Sequence, residues 1–598
     1  MLARMSTVAK SPPVDARDAS AMPLKPPGTR EFTVRAVIVA VIVAALIGGA
    51  YPYVVLKLGF GPNISVVSAF FGFLALGLVS RSFNRWENNI VQSAGTAAGQ
   101  TAFLCVLMAA FDLLHDDPTL GFTFQLQPLQ AFLWLTTAGL LGVLLSVPMR
   151  QHFVVDENLT FADGVAAAET LIVLDSKGPE ARATARSMGI GTLFSAALMA
   201  VRADARLLAD AWYRIPEMLR LGPTGATMGV GVSWSLLSLG SGMLLPLRIN
   251  ASMLAGAILS WVIAPPLLVQ HGWVDEMVRR KVLLWVMWPA TGMLVAGGLT
   301  ALVLRWKVMV KTFRNLGGAS IGGGDFPLKW VAIGSVLCTI ALVLVQHFAL
   351  GMSVWMTLLA VVFTIPLMLV AIRVLGETNW GPISALSNMM QAVFGVIAPH
   401  QVMPNMVASG VTGSVASESD GLMQCYKTGH LIGSTPRYLT YAQLIAVPIG
   451  AAAVSYVYPL LRATYGIGGD NGLQSPISQK WAGFAKLLSA GFSALPHGAL
   501  EALGIGVALG VLFTVLEGTR WHSKVPSPTG IGIGMLVPAS AIFTMFLGGV
   551  VARVWSRTAP RQAEQHLVPV ASGFIAGEAI IAVVIPVLVA LHLVTLQP

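Results

Sequence analysis

Charged side chains are scarce. Asp, Glu, Lys and Arg make up 11% of the 598 residues, against about 25% in ordinary soluble proteins. A soluble fold of this size could not cover its surface with so little charge, and no polar linker divides the chain into the several domains its length would suggest. With 55% hydrophobic residues and a mean hydropathy of +0.74, the solvent for most of the chain is lipid. A cytosolic enzyme, a secreted scaffold and a disordered protein are excluded. Cysteine is scarce too. Cys105, Cys338 and Cys425 are odd in number and far apart, so neither a disulfide framework nor a CxxC metal site is expected. GxxxxGK[ST] and HExxH are missing, as is a Ser/His/Asp arrangement on a credible element. This argues against an ATP-driven pump and an intramembrane protease, and no cofactor or metal site is expected. The net charge of +10 is not arranged as a Lys/Arg stripe interleaved with aromatics, so no nucleic-acid partner is implied. The positive-inside bias of membrane proteins accounts for it.

What the chain has instead is long uncharged windows. About 20 apolar residues cross a bilayer as a helix. Residues 36–56 and 88–111 are uncharged, as are 118–149, 221–247, 249–274, 282–304, 438–461 and 525–552. The windows 330–372 and 378–417 are each long enough for two crossings. The expectation is an all-α integral membrane protein, a polytopic helical bundle of about 14 to 16 spans. The first 35 residues hold six Lys/Arg against three acids, and residues 1–31 read as a disordered cytoplasmic tail. Arg81 and Arg85 follow the second span, and Asp112, His115, Asp116 and Asp117 follow the third. Their charges place the N-terminus in the cytoplasm, with residues 305–329 as an internal loop. Gly95-Thr-Ala-Ala-Gly-Gln100 and Gly573-Phe-Ile-Ala-Gly-Glu578 resemble each other, each after a Pro-led span and a two-arginine loop. The match suggests a duplicated chain, with discontinuous helices and a site between the repeats, as in many transporters.

Ionisable and amide groups inside apolar territory are functional candidates, and here they gather near Gly/Pro breaks. Lys57 and Asn63 flank the Gly-Phe-Gly-Pro break after the first span, where Lys57 also suits a snorkelling turn residue. Arg248 follows Pro246 in a similar hinge. Glu87-Asn88 opens the third span as a helix cap would, and Gln92, Ser93 and Thr96 are too polar to face lipid. Phe161-Ala-Asp-Gly-Val-Ala-Ala-Ala-Glu169 carries two acids among small residues that equally suit close helix packing. Gly376-Glu-Thr-Asn-Trp-Gly-Pro382 interrupts an apolar stretch. Ser409-Gly-Val-Thr-Gly-Ser414 is expected to be unwound, leading into Glu418 through His430, which also suits a salt-bridged cytoplasmic cap. His497 and Glu501 are spaced to share a helix face. Glu578 lies in the last span without a basic neighbour in sequence. The substrate-binding candidates are therefore Lys57, Asn63, Asn88, Gln92, Arg248, Asn379, Ser414 and Lys427. The proton-coupling candidates are Glu169, Glu377, Asp420 and Glu578.

Several of these motifs together resemble the oligopeptide transporter superfamily, closest to its yellow stripe-like metal-chelate branch. They are Glu87-Asn-Asn-Ile-Val-Gln92, Phe161 through Glu169, Asp420 through Leu431, Ser434-Thr-Pro-Arg437, Phe492 through His497, Val525-Pro-Ser-Pro528, Phe546-Leu-Gly-Gly549 and Val570 through Glu578. The similarity runs from residue 32 to the end. It implies a single transporter domain over 32–598, with two similar halves at roughly 32–315 and 326–598 and about 16 helices. It also implies proton-coupled symport of small peptides or peptide-like metal chelates. The chain departs from the family at Cys425, where relatives usually have an acid, and at Gly421, which adds a residue before Lys427. It lacks the Asn-Pro-Gly motif of the peptide branch.

The expected protein is thus a secondary active transporter of the cell membrane, the inner membrane if bacterial, and not an enzyme. Its partners would be a peptide or chelate, protons and the bilayer, with oligomeric state left open. The alternative is a passive channel or a carrier of another substrate on the same bundle. A channel calls for one continuous polar stripe rather than polar groups at helix breaks.

Overall fold

A helix rises 1.5 Å per residue, and in lipid its backbone has no other hydrogen-bonding partner than itself. Segments of that kind make up almost the whole chain, and in the computed structural model it is 82% helical. The structure describes residues 25–590 except 27, 59–63, 80–82, 119, 176–178, 202–217, 223–224, 226, 305–323, 468–472, 474, 490–495 and 520–524. Ten helices among the described residues are long and apolar enough to cross a membrane, and the chain is a multi-pass membrane protein. Two shorter apolar helices are Ile64–Val79 and Ile383–Ile397. Val402–Ile432 is 31 residues long but falls outside the apolar set, since it is rich in Ser, Thr, Gly and amides besides carrying Glu418, Asp420 and Lys427. A short hairpin pairs Met218 with Ser233, and it holds the named strands of the described residues.

Two kinds of surface separate cleanly. Leu328–Leu350 is only 11% buried and turns Trp330, Leu337, Ile340 and Phe348 outward, as a lipid-facing helix must. Val402–Ile432 is its opposite: every residue from Pro404 to Gly429 is buried. The expected unwinding at 409–414 does not occur, and the segment is regular helix. Its small residues serve packing instead. A Cβ on Gly410 would stand 2.5 Å from the Trp134 ring, and one on Gly413 would stand 2.8 Å from the Trp481 ring. Close approach of this kind needs glycine. The cytoplasmic-cap reading of 418–430 fails for the same reason, since these charges lie in the core. Residues 573–578 also form continuous helix, within Pro560–Ala590. His497 and Glu501 do not share a helix face, because Ala499–Glu517 starts after Gly498, whose φ of 75° belongs to the left-handed region.

The element order repeats itself around two broken helices. Leu236–Leu244 and Pro528–Leu536 are each nine residues long. Ser235 and Ser527 cap them, each accepting from the backbone N–H three residues on. Both end at an extended residue, Leu245 or Val537, and a proline then opens the next helix: Leu247–Ile258 or Ala539–Thr558. The sequence behind this is Gly242-Met-Leu-Leu-Pro246 against Gly534-Met-Leu-Val-Pro538. The packing is reciprocal. A Cβ on Gly242 would lie 2.0 Å from the Met545 carbonyl oxygen, and one on Gly534 would lie 2.0 Å from that of Met253. Gly256 meets Ile531 and Gly548 meets Leu239, both at 2.1 Å. Neighbouring helices follow suit: Gly506 abuts Pro289 of Arg279–Leu304, and Gly191 abuts Val570 of Pro560–Ala590. The structure thus pairs segments other than 95–100 and 573–578.

Such contacts leave no room for a methyl group. Gly242→Ala and Gly534→Ala are each expected to cost about 1–3 kcal/mol, read as a lower melting temperature of the detergent-solubilised protein. Gly504→Ala, with nothing within 4 Å of its Cβ, should not lower it.

Candidate functional site

Polar side chains inside a membrane protein must be satisfied by one another, and the Val402–Ile432 helix collects them from four directions. Against it lies Arg85–Phe103, whose start is fixed by a capping box. Asn84 accepts from Glu87 N–H, and Glu87 answers the Asn84 backbone. Glu87 is also gripped by Arg35, through Nη2 at 2.7 Å and Nε at 2.8 Å, and by the Thr33 hydroxyl at 2.6 Å. The capping expectation for Glu87 therefore holds, with an arginine added. Asn88 donates to the Ala69 carbonyl at 3.0 Å, and its oxygen sits where a Cβ on Gly72 would be. It fastens the Ile64–Val79 helix.

The two long helices run antiparallel past each other. Gln92 Nε2 reaches Cys425 Sγ at 3.5 Å and Thr96 at 3.2 Å. Gly421 closes on Thr96 and Gln100. Ser417 donates to Gln100 Oε1 at 2.7 Å. The Thr101 hydroxyl donates to Glu418 Oε1. Ascending numbers on one helix thus meet descending numbers on the other. Gln92, Ser93 and Thr96 are all buried, facing the interior as their polarity requires. Ser414 Oγ, Glu418 Oε2 and both oxygens of Asp420 have no hydrogen-bond partner among the described residues. Asp420 points at Gly381, where a Cβ would stand 2.4 Å from its Oδ2.

One turn further, three motifs distant in sequence converge. Asn379, in the left-handed region at φ 60°, ends the Val354–Thr378 helix. Its amide donates to Asp163 Oδ1 at 2.7 Å and its oxygen accepts the Asp163 N–H at 3.0 Å. Gln424 joins them: its oxygen accepts from Gly164 N–H at 2.6 Å and its amide donates to Asn379 at 3.3 Å. Thr428 donates to the Gly164 carbonyl at 2.9 Å. Lys427, fully buried, donates to Asn158 Oδ1 at 2.8 Å. Phe161 N–H donates to the Gly376 carbonyl at 3.1 Å. Glu169 is buried two turns along the Ala162–Asp175 helix.

A third group holds the half-helices. Arg373 Nη2 lies 2.8 Å from Glu377 and its Nη1 lies 2.9 Å from Glu157, whose other oxygen stands 3.1 Å from His152 Nε2. Glu377 in turn accepts from the Thr529 hydroxyl and from Ser527 Oγ at the start of Pro528–Leu536. At the start of Leu236–Leu244, Glu578 accepts from Ser235 Oγ at 3.0 Å and from Leu237 N–H at 2.9 Å. A carboxylate therefore sits at each half-helix N-terminus, where the helix dipole favours it. Arg248 is committed to Glu517 and to the Val525 carbonyl.

The structure brings Asn379, Asp420 and Lys427 together on one side of the central helix, with Gln92 and Ser414 on its other faces. Glu377, Arg248 and Glu578 stand at the half-helices. The Lys57 side chain and Asn63 lie outside the described residues. Sequence reading passed over Arg373 and Glu157, because a charge bounding an apolar window reads as its edge. It also passed over Glu418, Thr101 and Gln424 as partners, because the Thr101–Glu418 and Gln424–Gly164 contacts cross more than 250 residues.

A family profile described as "OPT oligopeptide transporter protein" matches residues 31–589. A Saccharomyces cerevisiae protein named for oligopeptide transport is 22% identical, covering 93% of this chain and 96% of its own length. The iron-phytosiderophore transporter yellow stripe 1 of Zea mays is 24% identical over 90% of this chain and 88% of its own. A metal-nicotianamine transporter of Arabidopsis thaliana is 23% identical over 92% of each.

Asn379→Asp would remove the amide donor and set a second carboxylate against Asp163. It is expected to destabilise the protein by about 1–3 kcal/mol, measured by thermal unfolding in detergent. An unchanged melting temperature would mean that the bridge carries no weight.

Proposed function

The chain belongs to the OPT oligopeptide transporter family and is a membrane transporter, not an enzyme; we propose that it is a proton-coupled symporter of small peptides or peptide-like metal chelates. The observation that carries this reading is the polar spine. A helix bearing Glu418, Asp420, Gln424 and Lys427 is buried along its length, and one helix from the other part of the chain crosses it in the opposite sense. We take the chain as two similar halves, roughly 32–315 and 326–598, inverted with respect to each other, with Leu328–Leu350 as an extra lipid-facing helix. The reciprocal glycine contacts of the broken helices support that division, and inverted repeats with broken helices are a common transporter plan.

Peptides and chelates of amino-acid type carry carboxylates and amides. Lys57, Arg248 and Lys427 are the cations proposed to meet the first; Asn63, Asn88, Gln92, Asn379 and Ser414 are the groups proposed to meet the second. Glu169, Glu377, Asp420 and Glu578 are the proposed proton carriers. A half-helix N-terminus attracts a carboxylate and not a neutral acid, so proton binding at Glu377 or Glu578 would loosen its half-helix. That links protonation to movement. The N-terminus is assigned to the cytoplasm. Lys25, Arg35 and Arg150 gather at one end of the bundle through Glu31, Glu87 and Asp325, whereas Asp112, Asp116 and Asp117 gather at the other around Arg462 and Lys486. The first end fits the positive-inside rule.

The test is uptake of a labelled tripeptide and of iron–nicotianamine into proteoliposomes, with and without an imposed pH gradient. Acid on the entry side should raise accumulation of one of them about tenfold per pH unit for one coupled proton. Glu578→Gln, which keeps the shape but not the titration, should abolish the pH effect. Uptake indifferent to the gradient would overturn proton coupling.

A further inference from the structure

The antiparallel contact between the two long helices has a centre of symmetry. Ser417 meets Gln100, and Glu418 meets Thr101, at the same separation in sequence, 317 residues. The same interval separates Asn88 from Asn405, and these two behave alike. Each is the fourth residue of its helix, each donates to a backbone carbonyl of the preceding short helix (Ala69 at 3.0 Å, Gln391 at 2.8 Å), and each has a side-chain oxygen without a partner among the described residues. The 85–103 and 402–432 helices are therefore counterparts in the two halves. Residues that are one another's counterparts touch only where the two-fold axis between the halves passes. That place is Gln100–Ser417 and Thr101–Glu418.

We infer that Glu418 carries a transported proton at the axis between the halves, with Thr101 as its positioning residue. This rests on the proton-coupled reading above. Glu418 is 1% exposed, and its Oε2 has no hydrogen-bond partner among the described residues. Among the described residues, the groups shown against it are Thr101 from Arg85–Phe103 and Gly139 and Gly142 from Pro128–Ser146, none of them charged. Asp420 on its own helix faces Gly381, and Lys427 is held by Asn158. Among the described residues no Lys, Arg or His forms an ion pair with Glu418. A bare carboxylate in such a place is stable as the neutral acid. An axis through the membrane plane is also equally far from both faces, so a proton held there is offered to either side by the same rocking of one half against the other. The acids at the half-helices, off the axis, lack that property. The step is a proton exchange only: Glu418 gains a proton from water on one side and returns it to water on the other.

The experiment reconstitutes wild type, Glu418→Gln and Thr101→Val, with tripeptide and iron–nicotianamine as probes. Infrared spectra of the purified proteins are recorded in parallel. Wild type should accumulate a probe about tenfold per pH unit, and Glu418→Gln should lose that accumulation while still exchanging labelled for unlabelled probe. Its spectrum should lack a carbonyl stretch of a buried carboxylic acid that wild type shows at neutral pH. Thr101→Val should keep accumulation but shift its pH profile, which lost packing alone would not do. A Glu418→Gln protein that accumulates like wild type, or that shows an unchanged carboxylic-acid band, overturns the assignment. A wild type blind to the pH gradient overturns proton coupling itself, and this proposal with it. If Glu418→Gln fails to fold, Glu418→Asp decides: a folded, coupled protein with a moved acid band supports the assignment, and one with an unmoved band contradicts it.

Discussion

The organisation of this transporter follows from one constraint. A helix carrying two acids, a lysine and several amides and hydroxyls cannot face lipid, because each unsatisfied polar group there costs several kcal/mol. Val402–Ile432 must be enclosed, and the other helices enclose it. The apolar surfaces that result are those of Leu328–Leu350 and its kind, where exposed Trp, Leu and Phe meet a solvent as apolar as themselves. In a water-soluble protein that partition would be inside out.

Enclosure of a polar helix requires close approach, and glycine supplies it. The hydrophobic effect gives helices little reason to associate once all are in lipid; packing and hydrogen bonds take over. Gly410 and Gly413 admit tryptophan rings against the spine, and Gly242, Gly256, Gly534 and Gly548 admit backbone against backbone at the broken helices. Part of the glycine content of the chain, 61 residues, is thus a packing feature, beside the turn glycines such as Gly351 and Gly466 at positive φ. The contacts at the two broken helices come in reciprocal pairs.

Much of this was legible in the sequence, for definite reasons. Uncharged windows fix helices because the bilayer leaves no other backbone solution. The breaks at 376–382 and at Pro246 declared themselves through Gly and Pro, and Asn379 adopts the left-handed conformation that such a break requires. The stretch 409–414 misled, since Gly and Ser spacing looks the same whether it loosens a helix or lets another helix press on it. Glu578 was conspicuous for want of a basic neighbour in sequence, but its partners include a hydroxyl and a backbone N–H, which no charge pattern reveals. Convergence of Asp163, Asn379 and Gln424 was not readable at all. Each looks like an isolated polar residue until the fold brings the three segments together.

The central claim is that these buried groups belong to a carrier whose two halves move, not to a fixed pore. Counterflow measures this most directly. Proteoliposomes preloaded with an unlabelled transported peptide or chelate are diluted into the labelled compound at low concentration. The account predicts a transient accumulation of label above its outside concentration, because unlabelled molecules leaving return the site loaded with labelled ones. Label that only approaches equilibrium, at a rate indifferent to the preload, would contradict it.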